Sequence, residues 1–291
     1  MLSRDGYRTL HRLRVRWADV DPQAIVFNGH YLTYLDDAVT AHYRGLGLPY
    51  DESLELLDGE FFVKKTTLEY HAPARFDDSI EVGLRTARFG RTSLVYEACA
   101  FLGEKPLVSF EMVCVFADRE TRRPIPIDER MRSIWLDYEA GAPMLETRIG
   151  DFAELGAAAR ALREAVFVRE QGIAPELEWD DADERARHVV IENRLGRPLA
   201  TGRLGPDGRL GRMAVHRSLR GEGLGRRVLE SLLDEARSQG LAEVVLHAQR
   251  TAIPFYERAG FERTSDVFVE AGIPHVTMRR RLEHAGAGRA R

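Results

Sequence analysis

Arg220-Gly221-Glu222-Gly223-Leu224-Gly225 decides the reading of the second half of this 291-residue chain. It follows an apolar run at 210–215 and opens a helical pattern at 226–239. A strand feeding a glycine-rich turn into a helix is one way to hold a diphosphate. Glycine lets the backbone approach closely, and the helix start offers unpaired N–H groups and a positive dipole end. Working outward, the pattern predicts a helix over 152–169 and strands near 188–192, 199–204 and 210–215. Beyond Gly240 it predicts a strand at 243–247, a short helix at 253–259 and two closing strands around 261–269 and 275–281. Alternating helices and strands of this kind make a mixed α/β domain.

The first half has another rhythm. Residues 11–17 alternate basic and apolar side chains, as a half-buried strand does. After a turn-rich stretch at 18–27, a helix is predicted over 29–46. Its apolar positions Leu32, Leu35, Ala38, Val39, Tyr43 and Leu46 recur at three- and four-residue spacing. Asn28 suits its N-cap, and Gly45 and Gly47 suit its end. Four strand-like runs follow at 61–70, 79–89, 93–102 and 107–118, most joined by short polar turns. One long helix and a continuous antiparallel sheet suggest a sheet curled around the helix. Gly, Pro and charge break the pattern between the halves. The expected layout is a first domain over 1–138, a linker over 139–146, a second domain over 147–283 and a disordered tail over 284–291.

Composition narrows the function classes. The chain is 44% hydrophobic and 30% charged, which is globular. A net charge of −4, with neither half a polycation, argues against nucleic-acid binding. Cys99 and Cys114 lie in apolar runs and read as free, buried thiols of a reducing compartment. No segment has the roughly 20 apolar residues of a membrane helix, and no apolar leader opens the chain. The cytoplasm is therefore the expected location, with no membrane partner. No metal-ligand spacing such as His-Glu-x-x-His or Cys-x-x-Cys occurs, so no metal is expected.

The second half resembles the GNAT N-acyltransferase superfamily. Its Gln/Arg-x-x-Gly-x-Gly/Ala signature is met by Arg220, Gly223 and Gly225. Its late aromatic element is met by Phe255-Tyr256 and Gly260-Phe261. Phe167 to Gln171, Glu178-Trp179-Asp180 and Leu246-His247-Ala248-Gln249 narrow the resemblance to a bacterial subgroup of poorly defined substrate. The resemblance covers about residues 147–282. It implies acyl-CoA with its diphosphate on the 220–225 turn, including Gly221, and its pantetheine arm along Met213–Val215. A splayed strand would admit the thioester. Tyr256 matches the tyrosine that protonates the departing thiolate; alternatively it only packs the short helix. Gln249 is a secondary cofactor contact. Candidate bases are Glu178, His188, His216 and His247, with a water chain or a structural role open for each. The acidic run Glu176, Glu178, Asp180, Asp181, Asp183 and Glu184 either attracts a cationic amine or is a solvated loop.

The first half resembles hotdog-fold acyl-CoA thioesterases of the 4-hydroxybenzoyl-CoA thioesterase type, over about residues 8–138. The resemblance rests on Asp19-Val20-Asp21, Ile25-Val26-Phe27-Asn28-Gly29-His30-Tyr31 and Tyr70-x-x-Pro73-Ala74-Arg75-x-Asp77-Asp78. It implies that Asp21 attacks the thioester or activates water, and that N–H groups at Asn28 and Gly29 stabilise the oxyanion. An Asx-turn role for Asp21 stays open, and Asp19 is read as structural. Ala24 replaces the usual Gly and is strained if φ is positive there. His30 replaces a common Asn. Arg88 and Arg91 either meet CoA phosphates or lie on an exposed face.

The expected fold is thus an α+β hotdog domain, an antiparallel sheet around one long helix. An α/β GNAT domain follows, with a mixed, mostly antiparallel sheet carrying helices on both faces. The expected activities are acyl-CoA hydrolysis and acyl transfer, most often acetyl, to a small-molecule amine. CoA thioesters are substrates, and no tightly bound cofactor is expected. A homodimer or homotetramer through the hotdog domain is implied. The competing reading is a CoA-thioester binding or assembly module with little turnover.

Overall fold

A computed structural model describes residues 3–50 and 59–283. The tail expected over 284–291 lies outside them. The chain divides into two compact units, Met1–Met144 and Leu145–Arg291.

In the first unit, β1 (Thr9–Arg14), β2 (Glu60–Tyr70), β3 (Ser79–Phe89), β4 (Ser93–Leu102) and β5 (Lys105–Ala117) form one sheet in the order β1-β3-β4-β5-β2. Every pairing is antiparallel. The helix α1 (His30–Gly45) packs on this sheet through Tyr31, Tyr34, Leu35, Ala38, His42 and Tyr43. Its cap differs from expectation. Gly29 holds the N-cap position without any side-chain cap. The Asn28 carbonyl instead accepts the Tyr70 hydroxyl at 3.1 Å. Leu32 points outward, so the apolar stripe runs through Tyr31 and Tyr34 in its place. Gly47, at φ 68, closes the helix by turning into left-handed backbone.

A second helix, α2 (Glu129–Glu139), was not expected. Asp128 caps it by accepting the Arg130 N–H, and Met131, Ile134, Trp135 and Tyr138 form its buried stripe. Trp135 sits edge-on to Tyr43 of α1 and donates to the Tyr96 hydroxyl at 3.2 Å.

The second unit is an eight-stranded sheet. Leu145 and Glu146, assigned to the linker by sequence, belong to its first strand β6 (Leu145–Gly150). The others are β7 (Arg187–Asn193), β8 (Pro198–Leu204), β9 (Arg209–Val215), β10 (Glu243–Gln249), β11 (Glu262–Arg263), β12 (Phe268–Glu270) and β13 (Ile273–Arg281). The order is β11-β13-β10-β9-β8-β7-β6, with β12 paired to β13. Only β9 and β10 run parallel.

The helix read over 152–169 is α3 (Phe152–Arg163), which widens into a π-helical turn over Glu164–Glu170. A short α4 (Pro175–Glu178) follows. The glycine turn opens α5 (Leu224–Ser238), and α6 (Ile253–Arg258) follows β10. In α5 the buried positions Leu224, Val228, Leu229, Leu232, Leu233 and Ala236 keep helical spacing. They press so closely on β8 that a Cβ at Gly202 would meet Val228 Cγ1 at 2.7 Å.

Candidate functional site

The second unit's site begins where two strands part. β9 and β10 pair only at Val245 with Arg209 and Leu246 with Leu210, yet they continue to Val215 and Gln249. Beyond Leu210 the β10-facing edge of β9 is therefore a fork. A Cβ on Gly211 would meet nothing within 4 Å. The divergence coincides with a bulge on the other side of β9. Thr201 pairs with Ala214 and Arg203 with Gly211, so Arg212 and Met213 together oppose Gly202. Arg212 takes φ 51.

The glycine turn lies at the mouth of this fork. Gly221 (φ 88) and Gly223 (φ 83) have left-handed backbone, which a side chain would strain. Among the described residues, the N–H groups of Gly221, Gly223, Leu224, Gly225 and Arg226 have no intramolecular acceptor. Together with the helix dipole they make an anion site. A cavity of about 1080 Å³ opens over them, walled by Val215, Phe255, Arg226, Arg258 and Arg280. Arg220 also lines this cavity, and its guanidinium is tied down. It donates to both oxygens of Glu170, at 2.6 and 2.7 Å, and to the Val215 carbonyl at 3.2 Å.

Tyr256 stands on α6, half-buried, with its hydroxyl 3.6 Å from the Met213 sulfur. Burial pushes its phenol up to about 12, so it keeps its proton at neutral pH. Met213, Val215, Tyr256 and the glycine turn thus share one side of β9. Gln249 ends β10 and donates to Gln171 at 3.1 Å.

The four candidate bases separate clearly. Glu178 is buried and accepts Arg163 Nε at 2.6 Å. His188 is buried with Nε2 donating to the Asp183 carbonyl at 2.9 Å, and burial lowers its pKa. Both are held structurally. His216 Nδ1 lies 2.9 Å from Ser218 Oγ. His247 accepts Arg209 at Nε2 and donates Nδ1–H to Glu270, at 2.7 and 2.6 Å.

The acidic run divides: Glu176, Asp181 and Glu184 are exposed, as the solvated-loop reading expects, and the other three are paired. Glu178, Asp180 and Asp183 belong to an ion network with three arginines. Arg163, 1% exposed, binds Glu178 and Asp183; Arg203 binds Asp180 and Asp183; Arg212 binds Asp180. Composition shows the carboxylates; their partners come from α3, β8 and β9 and are legible only in the fold. Neutralised in this way, Glu178, Asp180 and Asp183 are not a lure for a cationic amine.

In the first unit, the loop before α1 gathers Asp19, Asp21, Asn28 and Gly29. Phe27 N–H donates to Asp19 O, and Asp21 N–H to Ile25 O, both at 2.9 Å. Asp19 is buried and binds Arg16 through side chain and backbone. Burial alone would raise its pKa, but the Arg16 hydrogen bonds outweigh it and hold the carboxylate low. Asp21 is half-buried, and its Oδ1 accepts the Gln23 N–H at 2.8 Å, an Asx turn. Ala24 takes φ 58, so the strain expected of a non-glycine residue is present. Among the described residues, the Asn28 and Gly29 N–H groups have no intramolecular acceptor. A Cβ on Gly29 would lie 2.8 Å from the exposed Phe27 ring, which would have to move aside. His30 stacks edge-on against Phe27, with Nδ1 3.9 Å from Asp19. Arg88 pairs with Glu111 on the exposed sheet face.

Residues 161–282 match the acetyltransferase (GNAT) domain family, and residues 15–134 match the thioesterase-like superfamily. Two Bacillus subtilis (strain 168) proteins are similar to the second unit. YyaT is 32% identical over 127 residues, covering 42% of this chain and 85% of YyaT. The uncharacterized N-acetyltransferase YjcF is 35% identical over 121 residues, covering 40% and 86%. The chain belongs to the thioesterase-like superfamily in its first unit and to the GNAT superfamily in its second. Among solved structures, a thioesterase complexed with coenzyme A and Zn from Thermus thermophilus is 28% identical. It covers 48% of this chain and 99% of that one, with a TM-score of 0.42. An acyl-CoA N-acyltransferase from Pseudomonas aeruginosa is 33% identical, covering 47% and 99%, with a TM-score of 0.43.

Sequence reasoning missed three parts of the GNAT unit: the basic cavity wall, the Glu170 brace and the Arg212 bulge. The bulge had a signal. Gly202 and Gly211 each sit inside a strand run, and a lone strand glycine marks a bulge or a close approach.

Proposed function

We propose that this chain is a bifunctional acyl-CoA enzyme. The thioesterase-like unit hydrolyses acyl-CoA to free acid and CoA, and the GNAT unit transfers an acyl group, most often acetyl, to a small-molecule amine. The observation that carries the reading is the fork beside the glycine turn. Unpaired N–H groups, an open strand edge and a protonated tyrosine converge there. A diphosphate on the turn lays the pantetheine along β9, with Gln249 as an outer contact. Tyr256 then supplies the proton that the departing thiolate needs. The acceptor amine loses its proton to His216, His247 or water.

In the thioesterase-like unit, Asp21 attacks the thioester or activates water, and the Asn28 and Gly29 N–H groups receive the oxyanion. The protein works as a homodimer or homotetramer through this unit, and its buried free thiols suit the cytoplasm. The two units, which take in the 139–146 stretch read as a linker, are the respective functional domains. A second reading has support in the first unit. The Asp21 carboxylate is engaged by Gln23 and Ala24 is strained, as in a site that binds thioesters without hydrolysing them.

One assay separates these readings. The protein is incubated with a panel of acyl-CoAs and a thiol-detecting dye, with and without amines. Amine-independent release that disappears in Asp21→Asn supports the hydrolase. Absence of release from every thioester, with CoA still raising the melting temperature, supports the binding reading for the first unit.

A further inference from the structure

The fork exists because β9 is bulged, and the bulge is held from outside the strand. Arg212 carries a Cβ in left-handed backbone, a conformation with a steric cost. Its guanidinium is held on the acidic segment through Nε and Nη2. Nε donates to the Glu178 carbonyl at 3.2 Å, and Nη2 donates to Asp180 Oδ2 at 3.0 Å and the Leu177 carbonyl at 3.5 Å. The other Asp180 oxygen accepts Arg203 Nη1 at 2.6 Å. Arg203 follows Gly202, the residue opposite the bulge. One carboxylate therefore ties together the two strands on either side of the irregularity: Arg203 forks onto both its oxygens, and Arg212 shares Oδ2. Arg163, buried at the end of α3, anchors the same segment through Glu178 and Asp183.

Register explains what depends on this tie. Loss of the extra residue would shift everything from Met213 onward by one position, and a one-residue shift turns each side chain to the opposite face. Met213 would leave the Tyr256 hydroxyl and Val215 would leave the cavity. We propose that Arg212 is a positioning residue for the thioester. Clamped by Asp180 and the 177–183 segment, it holds the bulge that keeps β9 away from β10. This rests on the acyl-CoA reading of the GNAT unit.

Hydrogen–deuterium exchange of the full chain tests it, because peptides over 211–226 report this site even if the first unit also binds CoA. The ligands are CoA and 3′-phospho-ADP, which keeps the diphosphate and lacks the pantetheine arm. The variants are Asp180→Asn, at a half-exposed carboxylate, and Arg212→Gly, which accepts positive φ without strain and removes only the clamp. In the wild type, CoA protects both 211–215 and 221–226, and 3′-phospho-ADP protects 221–226 alone. Both variants should need about tenfold more CoA to protect 211–215, the scale of one or two lost hydrogen bonds, and unchanged 3′-phospho-ADP to protect 221–226. Equal CoA requirements in wild type and both variants overturn the proposal. If CoA protects neither segment of the wild type, the acyl-CoA reading fails. The clamp is then judged on ligand-free exchange of 211–215, which should quicken in both variants; unchanged rates refute it.

Discussion

Arg220 and Glu170 form a two-pronged ion pair, 2.6 and 2.7 Å, between the glycine turn and the end of the π-helical turn. The pairing holds the Glu170 carboxyl below its usual range, first through the Arg220 hydrogen bond. The arginine of the signature therefore braces the loop onto Glu170 at the rim of the cavity that the loop's N–H groups border. Glu170→Ala should raise the KM for acetyl-CoA roughly three- to tenfold, and Arg220→Ala should do the same. The double variant should be no worse than either single one, since both remove the same brace. Stability should change by less than about 1 kcal/mol, because the pair is partly exposed. Steady-state kinetics of the three variants check this; fully additive KM effects would contradict it.

Tyr256→Phe removes a hydroxyl that stays protonated until about pH 12. If it protonates the departing thiolate, kcat for amine acylation should fall about 10- to 100-fold with little change in KM. Amine-independent CoA release should be untouched. An unchanged kcat would reduce Tyr256 to a packing role against Met213 and Phe261.

Periodicity exposed what depends on local pattern. The alternating runs of β2 to β5 and the 3.6-residue stripe of α5 were legible because each element buries one face. The glycine turn was legible because its φ values exclude side chains at Gly221 and Gly223. The fork was harder to see, since a one-residue bulge barely disturbs alternation and only the strand glycines Gly202 and Gly211 mark it. The ion network was not legible, because Arg163, Arg203 and Arg212 lie far in sequence from the carboxylates they meet. α2 is a different case: its Asp128 cap and its Met131-Ile134-Trp135-Tyr138 spacing were visible in the sequence and were passed over.

Ala24→Gly should stabilise the thioesterase-like unit. Ala24 is exposed at φ 58, where glycine is unstrained. Relief of left-handed strain, less glycine's greater unfolded-state entropy, leaves a gain of about 0.5–1 kcal/mol. Denaturant unfolding measures it. If the variant is less stable, the left-handed conformation is not what this loop adopts.

His42 is fully buried on α1, with Nδ1 2.8 Å from Thr9 Oγ1 and Nε2 3.4 Å from Thr86 Oγ1. The rings of Tyr96 and Tyr138 meet it edge-on, and Glu139 lies 3.9 Å away. Burial, aided by the Arg8 charge, lowers its pKa from 6.5 to about 3. The folded state keeps His42 neutral while the unfolded chain takes up a proton below pH 6.5. Folding stability is therefore lost as the pH falls from 6.5 toward 3, by roughly 1.4 kcal/mol per pH unit once the unfolded histidine is charged. Glu139, whose pKa is raised by burial, acts in the opposite sense above its ordinary value of 4.5. A comparison against His42→Gln separates the two. Glutamine retains hydrogen bonding toward Thr9 and does not titrate. The variant should be the less stable protein at pH 7, and the gap should shrink by about 2 kcal/mol by pH 5. Urea unfolding of both proteins at the two pH values reads the gap directly; a constant gap would mean that His42 is protonated in the native state.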